Sequence, residues 1–433
     1  MAPMCYLRLR ALGPLLLVAA AAAAAALPAR GADGDTPPDT DALAALHAPL
    51  ANLTTAGTSV GVYYAGRVVH KAAYGFADVE NRVPMTPTTR TNLGSVSKQF
   101  TAWLVLQEAA AGNLSLDDPV RDHIPELPAY DGADMRLHHL IYHTSGVRDL
   151  PSILSFSTRE YFGDIPRARS VAMIVRQSRL RFAPGARWEY SNSNYILLAA
   201  IVERVTGEPF AAAARRLLFA PLGMRDTVVW GDARGLYPNL ASSYTTRVAI
   251  DAPGAAVGAT VVGAPSLLPL PGTSSVVTTV ADLAAWEAAL SARRLPGGDP
   301  TLADRLVAPY TPPDGPDGPY VGGVARYAAG WFVIPPTGAG ANATDEVVFH
   351  PGGIHGFRSI VYRVPARGVA VFLQATTPEV VPDVVGWATA AAAAVEPAFV
   401  PPPALAAAAV PPPPSPSPSP SPSPSPTAAS DDD

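Results

Sequence analysis

Leu93-Gly94-Ser95-Val96-Ser97-Lys98-Gln99-Phe100 sets a hydroxyl and an amine three residues apart just where a helical pattern begins. Apolar residues recur at Phe100, Trp103, Leu104 and Leu106, and Gly112-Asn113 supplies a stop, so the spacing predicts a helix from about Ser97 to Ala111. On such a helix Ser95 and Lys98 are neighbours, with Cβ atoms roughly 5–6 Å apart. A serine hydroxyl is a weak nucleophile near neutral pH, and a desolvated lysine of lowered pKa can serve as its base. Ser95 also falls at the helix N-terminus, where the dipole and free N–H groups favour a developing negative charge. The plainer reading makes Ser95 or Ser97 an N-cap. Composition weighs against it: Lys71 and Lys98 are the only lysines, and the arginines that supply every other basic residue cannot give up a proton.

Outward from this helix, the N-terminal side reads as a short amphipathic helix at about Thr40–Leu50, then a hairpin of Ser59–Tyr64 and Val68–Tyr74 around Ala65-Gly66. On the C-terminal side, residues from about 112 to 272 are helix-patterned and broken by Pro and Gly. Helices are expected near Arg136–Tyr142, Ala168–Ser178, Ser193–Thr206 and Pro209–Leu218, the whole forming a helical insertion in a sheet-containing domain. A helix at Ala281–Leu290 follows. Glu346–His350, Phe357–Tyr362 and Val369–Gln374 read as an antiparallel meander closed by a helix at Pro382–Val395. Val257–Leu270 is apolar but unpatterned, and Pro312–Gly323 is a Pro/Gly/Asp-rich loop; neither receives a role.

At 433 residues with 48% hydrophobic content the chain can bury a large core, and its net charge of −5 is unclustered, so no nucleic-acid footprint is indicated. Residues 1–31 read as a signal peptide: Arg8 and Arg10 precede an apolar run from Leu12 to Leu27, with small residues near Ala29 and Gly31. A secreted, extracellular or cell-wall location is expected, with an organelle lumen or a signal anchor as the alternatives. Cys5, the only cysteine, would leave with that segment, so the mature chain has no disulfide or metal–thiolate chemistry. Asn52, Asn113 and Asn342 open N-glycosylation patterns. Residues 398–433 read as a disordered Pro/Ser-rich tail, a semi-rigid polyproline II spacer whose Ser-Pro repeats resemble hydroxyproline-rich cell-wall glycoproteins and suggest wall or matrix association.

Two further clusters carry chemistry. In Trp188-Glu189-Tyr190-Ser191-Asn192, a tyrosine hydroxyl beside a lysine ammonium can be drawn toward phenolate and act as base or acid; the alternative is a turn in which Tyr190 packs and Asn192 bonds backbone. In His350-Pro351-Gly352-Gly353, at the end of a predicted strand, the glycines let a substrate approach and the Gly353 N–H could face an oxyanion. A structural histidine is the alternative there. His143 is read as structural, in a turn after a helix.

Taken together and in this order, Ser95-x-x-Lys98, Tyr190-x-Asn192 and His350-x-Gly352 resemble the three motifs of the serine β-lactamase and penicillin-binding-protein superfamily. The tyrosine points to its class C β-lactamase, D-alanyl-D-alanine carboxypeptidase and esterase branch. Gly75-Phe76-Ala77-Asp78, His143-Thr144-Ser145-Gly146 and Pro221-Leu222-Gly223-Met224 resemble the same branch, so the likeness spans about residues 40–397. It implies an α/β fold of the β-lactamase/transpeptidase type, an antiparallel sheet flanked by helices plus a helical subdomain. It further implies acylation of Ser95, proton transfer by Lys98 and Tyr190, and positioning of Lys98 and the substrate amide by Asn192. The oxyanion hole would be the N–H groups of Ser95 and Gly353, with His350 and Gly352 lining the cleft. No metal and no organic cofactor are implied.

Two departures stand out. His350 replaces the lysine usual in β-lactamases, and Pro351 replaces a threonine that often helps hold a substrate carboxylate. Both weaken β-lactamase activity and leave acyl transfer intact, and protonation of His350 at lower pH is expected to restore part of the charge. The expected function is therefore a secreted serine hydrolase acting on a small ester, amide or peptide. Alternatives are an acyltransferase of the same fold and a non-catalytic cell-wall or matrix protein; the oligomeric state is not legible.

Overall fold

The computed structural model describes residues 40–406 except 52, 158–166, 232–234, 252–254, 264–269, 311–324 and 341–342. The signal segment, the Pro312–Gly323 loop, Asn52, Asn342 and the Ser-Pro repeats lie outside the described residues.

A seven-stranded antiparallel sheet runs Arg326–Tyr327, Phe332–Ile334, Val347–Ile354, Phe357–Val364, Val369–Ala375, Thr58–Tyr64, Arg67–Tyr74. The C-terminal meander thus continues into the N-terminal hairpin, with Thr58 opposite Ala375 and Val62 opposite Val371. Ala65 and Gly66, at φ 48° and 85°, give the two left-handed residues of a type I′ turn, which matches the strand twist.

Both faces of this sheet are buried, and the side-chain period of two sorts its residues cleanly. Val371 and Leu373 join Val60, Val62, Ile360 and Tyr362 under a cover of two helices, Thr40–Ala51 and Val384–Val395. Ala370, Phe372 and Val361 face the other way, onto the Val280–Ser291 helix with Leu283 and Trp286. Behind that helix lie Lys98–Ala110, ten of whose residues are buried, and Asn192–Thr206. A buried pair ties the sheet to its inner helix: Arg363 Nε lies 2.7 Å from Glu287 Oε2.

Several expectations are corrected. Ala255–Gly263 is a strand paired with Tyr244–Asp251; its Ala- and Gly-rich sequence has no alternation to read. The insertion is therefore not wholly helical, and a small sheet of Thr91–Asn92, Val276–Thr278 and Val228–Val229 crosses it. Short strands are added at Arg326–Tyr327, which forms the sheet's edge, and at Phe332–Ile334 beside it. The third-motif strand does not stop at His350 but runs through both glycines to Ile354. The chain also stays packed beyond residue 397: Phe399 and Leu405 are buried against the sheet's outer cover, and Asp345 and Val400 exchange hydrogen bonds of 2.9 Å.

Candidate active site

Ser95 sits in a 3-10 turn, Gly94–Ser97, that runs into the Lys98–Ala110 helix. Ser97 is not an N-cap in the usual sense, since its hydroxyl accepts from the Val276 N–H at 3.0 Å. The turn is set by Gly94, at φ 51°, whose N–H is held by Asn92 Oδ1 at 2.8 Å. A Cβ on Gly94 would lie 2.6 Å from Gly353 N, and one on Gly352 would lie 2.0 Å from Leu93 O. These glycines let the Ser95 turn and the third-motif strand meet backbone to backbone.

Lys98 is fully buried, and Nζ lies 3.1 Å from Ser95 Oγ, 2.8 Å from Asn192 Oδ1 and 3.1 Å from Thr273 O. No carboxylate is paired with it among the described residues. Burial pushes its pKa well below that of a free lysine, against a smaller upward pull from Asp149. In its neutral form the amine has two donors and one lone pair, and with Asn192 and Thr273 taking the donors, the lone pair would face the Ser95 hydroxyl. That arrangement can remove the Ser95 proton.

Asn192 is held by a residue that sequence reading missed. Asp149 Oδ1 accepts from the Asn192 backbone N–H at 2.7 Å and from Nδ2 at 3.0 Å. An acceptor-only carboxylate thereby fixes which way the amide points, turning Oδ1 toward Lys98 and the Thr273 hydroxyl. The legible signal was Asp149 ahead of Leu150-Pro151-Ser152, a helix-start pattern, and it does bond Ser152 N at 3.0 Å.

The Tyr190 ring lies 4.9 Å from Lys98 Nζ. Burial pushes the Tyr190 pKa up and the adjacent Ser95 hydroxyl offsets this only in part, so the group stands as a neutral phenol. The expected pull toward phenolate is not met, because burial of the Tyr190 hydroxyl outweighs it. A neutral phenol suits a proton donor better than a base.

His350 is 2% exposed, with Nδ1 2.7 Å from Pro351 O and Nε2 3.3 Å from the Tyr327 hydroxyl. A carbonyl can only accept, so Nδ1 carries the hydrogen. Burial, then Lys98, lowers its pKa to about 3. This overturns the expectation that mild acid restores a cation here. Its ring centre is 6.3 Å from that of Tyr190. His143 packs 4.4 Å from the Tyr190 ring, and its Nδ1 accepts from Ser191 N, so it braces the second motif from behind.

Gly353 stands opposite Arg358, one step from the two-residue turn His355-Gly356, whose φ values are 43° and 89°. The Ile354–Phe357 pair that closes such a turn is hydrogen-bonded, so Gly353–Arg358 is a non-bonded pair and the Gly353 N–H points outward, toward Ser95. A cleft of about 360 Å³ opens there, lined by Ser95, Asn192, Gly353 and Arg358. Of the glycosylation candidates, Asn113 is described: it is exposed, with Nδ2 2.7 Å from Glu108 Oε2. No cluster of potential metal ligands occurs among the described residues.

A sheet backed by a helical subdomain, with a serine and a buried lysine at their junction, defines the β-lactamase/transpeptidase-like fold. A family model described as Beta-lactamase matches residues 43–396, and the chain belongs to that family. Among similar proteins are a D-aminopeptidase of Gluconobacter oxydans, 27% identical over 76% of this chain and 57% of that one, and esterase EstB of Burkholderia gladioli, 36% identical over 37% and 44%. The chain thus spans about half the length of the curated relatives it matches. The D-amino acid amidase of Ochrobactrum anthropi SV3 superposes with a TM-score of 0.61 at 25% identity, covering 78% of this chain and 91% of that one. A penicillin-binding protein homologue from Pyrococcus abyssi gives 0.67 at 23% identity, covering 82% and 76%.

Proposed function

We propose that this chain is an exported serine hydrolase that cleaves a small ester or peptide-like amide through an acyl-enzyme on Ser95. The observation that carries the reading is a buried lysine with no carboxylate partner among the described residues, 3.1 Å from the serine hydroxyl. Lys98 takes the Ser95 proton as Oγ attacks the carbonyl carbon, and the N–H groups of Ser95 and Gly353 receive the oxyanion. The C–O or C–N bond then breaks, and the proton reaches the leaving group by way of Tyr190. Water enters, gives its proton to the same base as its oxygen adds to the ester carbonyl, and as the acyl–Oγ bond breaks that base returns the proton to Ser95 Oγ, releasing the acid. The relatives named D-aminopeptidase, esterase and amidase support acyl transfer as the common chemistry. Export rests on the Arg8/Arg10 and Leu12–Leu27 pattern, and wall or matrix association on the Ser-Pro repeats. Treating the full chain with a fluorophosphonate probe should label Ser95, and Ser95→Ala should abolish labelling and lower p-nitrophenyl ester turnover by about 10⁴–10⁶. Unchanged turnover by that variant overturns the reading.

A further inference from the structure

Within that reading, the cleft beside Ser95 has a direction. The leaving group must depart toward the Tyr190 hydroxyl, which gives it a proton. The cleft is lined by Ser95, Asn192 and Gly353 but by neither Tyr190 nor His350. It therefore receives the other half of the substrate, the acyl group that stays on the serine.

The charged group in this acyl cleft is Arg358. Its Nη1 lies 3.0 Å, and its Cζ 3.4 Å, from where a Cβ on Gly353 would stand, so the guanidinium lies over the glycine whose N–H serves the oxyanion. A side chain at 353 would have to push the guanidinium aside by a few tenths of an ångström. Nη1 donates to Phe357 O at 3.0 Å, and among the described residues no carboxylate pairs with Arg358. Arg358 lines the cleft together with apolar Pro151, Leu270 and Ile354 and with Ser274 and His355, and a planar guanidinium fork carries further N–H donors beyond the one given to Phe357. A buried or half-buried guanidinium without a counter-charge is a site waiting for an anion.

We propose that Arg358 binds a carboxylate on the acyl half of the substrate, so that the preferred substrates are monoesters or monoamides of short dicarboxylic acids. The same charge repels an acyl group carrying a free ammonium, the group that an aminopeptidase substrate presents. The chain would then part company in specificity from the D-aminopeptidases it resembles, while sharing their fold.

Binding reads this subsite without turnover. In full-length Ser95→Ala protein, calorimetric titration should show glutaryl p-nitroanilide binding about ten- to a hundredfold more tightly than pentanoyl p-nitroanilide, as one charge-assisted hydrogen-bonded pair provides. D-alanyl p-nitroanilide should bind more weakly than either. Adding Arg358→Met should collapse the difference between glutaryl and pentanoyl compounds and improve binding of the D-alanyl compound; Arg358→Lys should keep part of the discrimination. Equal affinities with Arg358 intact, or discrimination that survives Arg358→Met, overturn the proposal. Should Arg358→Met fail to fold, Arg358→Gln carries the same test. Wild-type hydrolysis of a neutral ester, and its loss in Ser95→Ala, tests the acyl-enzyme separately, so either idea can fail while the other stands.

Discussion

Against the outer face of the sheet lie Leu43, Val60, Leu373, Trp387 and Val395, with polar atoms confined to a few side chains such as His47 and Thr389. Against the inner face, Lys98, Gln99, Glu287 and Arg363 are buried as deeply, and each is met by a partner: Gln99 Oε1 by Trp286 Nε1 at 2.7 Å, Glu287 by Arg363, Lys98 by Ser95, Asn192 and Thr273. Buried polar groups are costly unless hydrogen-bonded, and a hydrophobic replacement of similar volume is often as stable or more so. The outer face is therefore filled for stability. The inner face keeps polar groups in working positions at some cost to it.

Substitutions can break or sharpen that contrast. The largest effect is expected from Lys98→Met, which keeps volume and removes the base: turnover should fall by about 10²–10⁴ while Tm holds or rises. A drop in Tm of more than about 5 °C would show that Lys98 holds the fold together, and the contrast would fail. Trp387→Ala on the outer face should do the reverse, costing about 3–5 kcal/mol in urea unfolding with kcat per folded molecule unchanged. If its kcat falls tenfold, the two faces are coupled through the sheet.

Ending the chain after Pro397 removes Phe399 and Leu405 from the outer cover, and should cost about 1.5–3 kcal/mol for each fully buried side chain as an upper bound. Ending it after Ala406 should stay within about 0.5 kcal/mol of the full chain. Equal stability of the two truncations would remove the last turn from the domain.

The smallest effect is on acid stability. His47 has its pKa lowered to about 4 in the folded chain by burial and then by His70, and His350 to about 3. Between the unfolded value of about 6.5 and those values the unfolded chain binds more protons, so stability is full above about pH 6.5 and declines as pH falls toward 4. His47→Leu should flatten that decline in urea titrations at pH 7 and pH 5. An unchanged slope would assign the acid sensitivity to the inner face.

What the sequence disclosed and what it hid follow from range. The Lys98 helix, the first hairpin and the meander carry strong local periodicity, and Ser95-x-x-Lys98 is a pattern within one helical turn. Asp149 reaches Asn192 across 43 residues, a link no local pattern contains. The Ala255–Gly263 strand is too poor in large side chains to alternate, and the Pro/Ala composition after Pro397 masks two apolar anchors. The neutral state of His350 depends on burial by Phe332 and Tyr327, which a reading of charges alone cannot supply.

The glycine contact between Leu93-Gly94 and Gly352-Gly353 also bears on time. Residues some 260 positions apart in the chain must touch before the oxyanion pair exists, as the Ser359 hydroxyl bonding Leu93 O at 2.7 Å across 266 positions illustrates. Closing so long a loop is among the slower events of folding, and the first hairpin must wait beside it for Val369–Ala375 to arrive. A chain still emerging from the ribosome has Ser95 and Lys98 close in sequence but not yet Gly353, so the proposed mechanism would lack a place for the charge that attack creates. On the proposed mechanism, attack at Ser95 waits until the third-motif strand is in place.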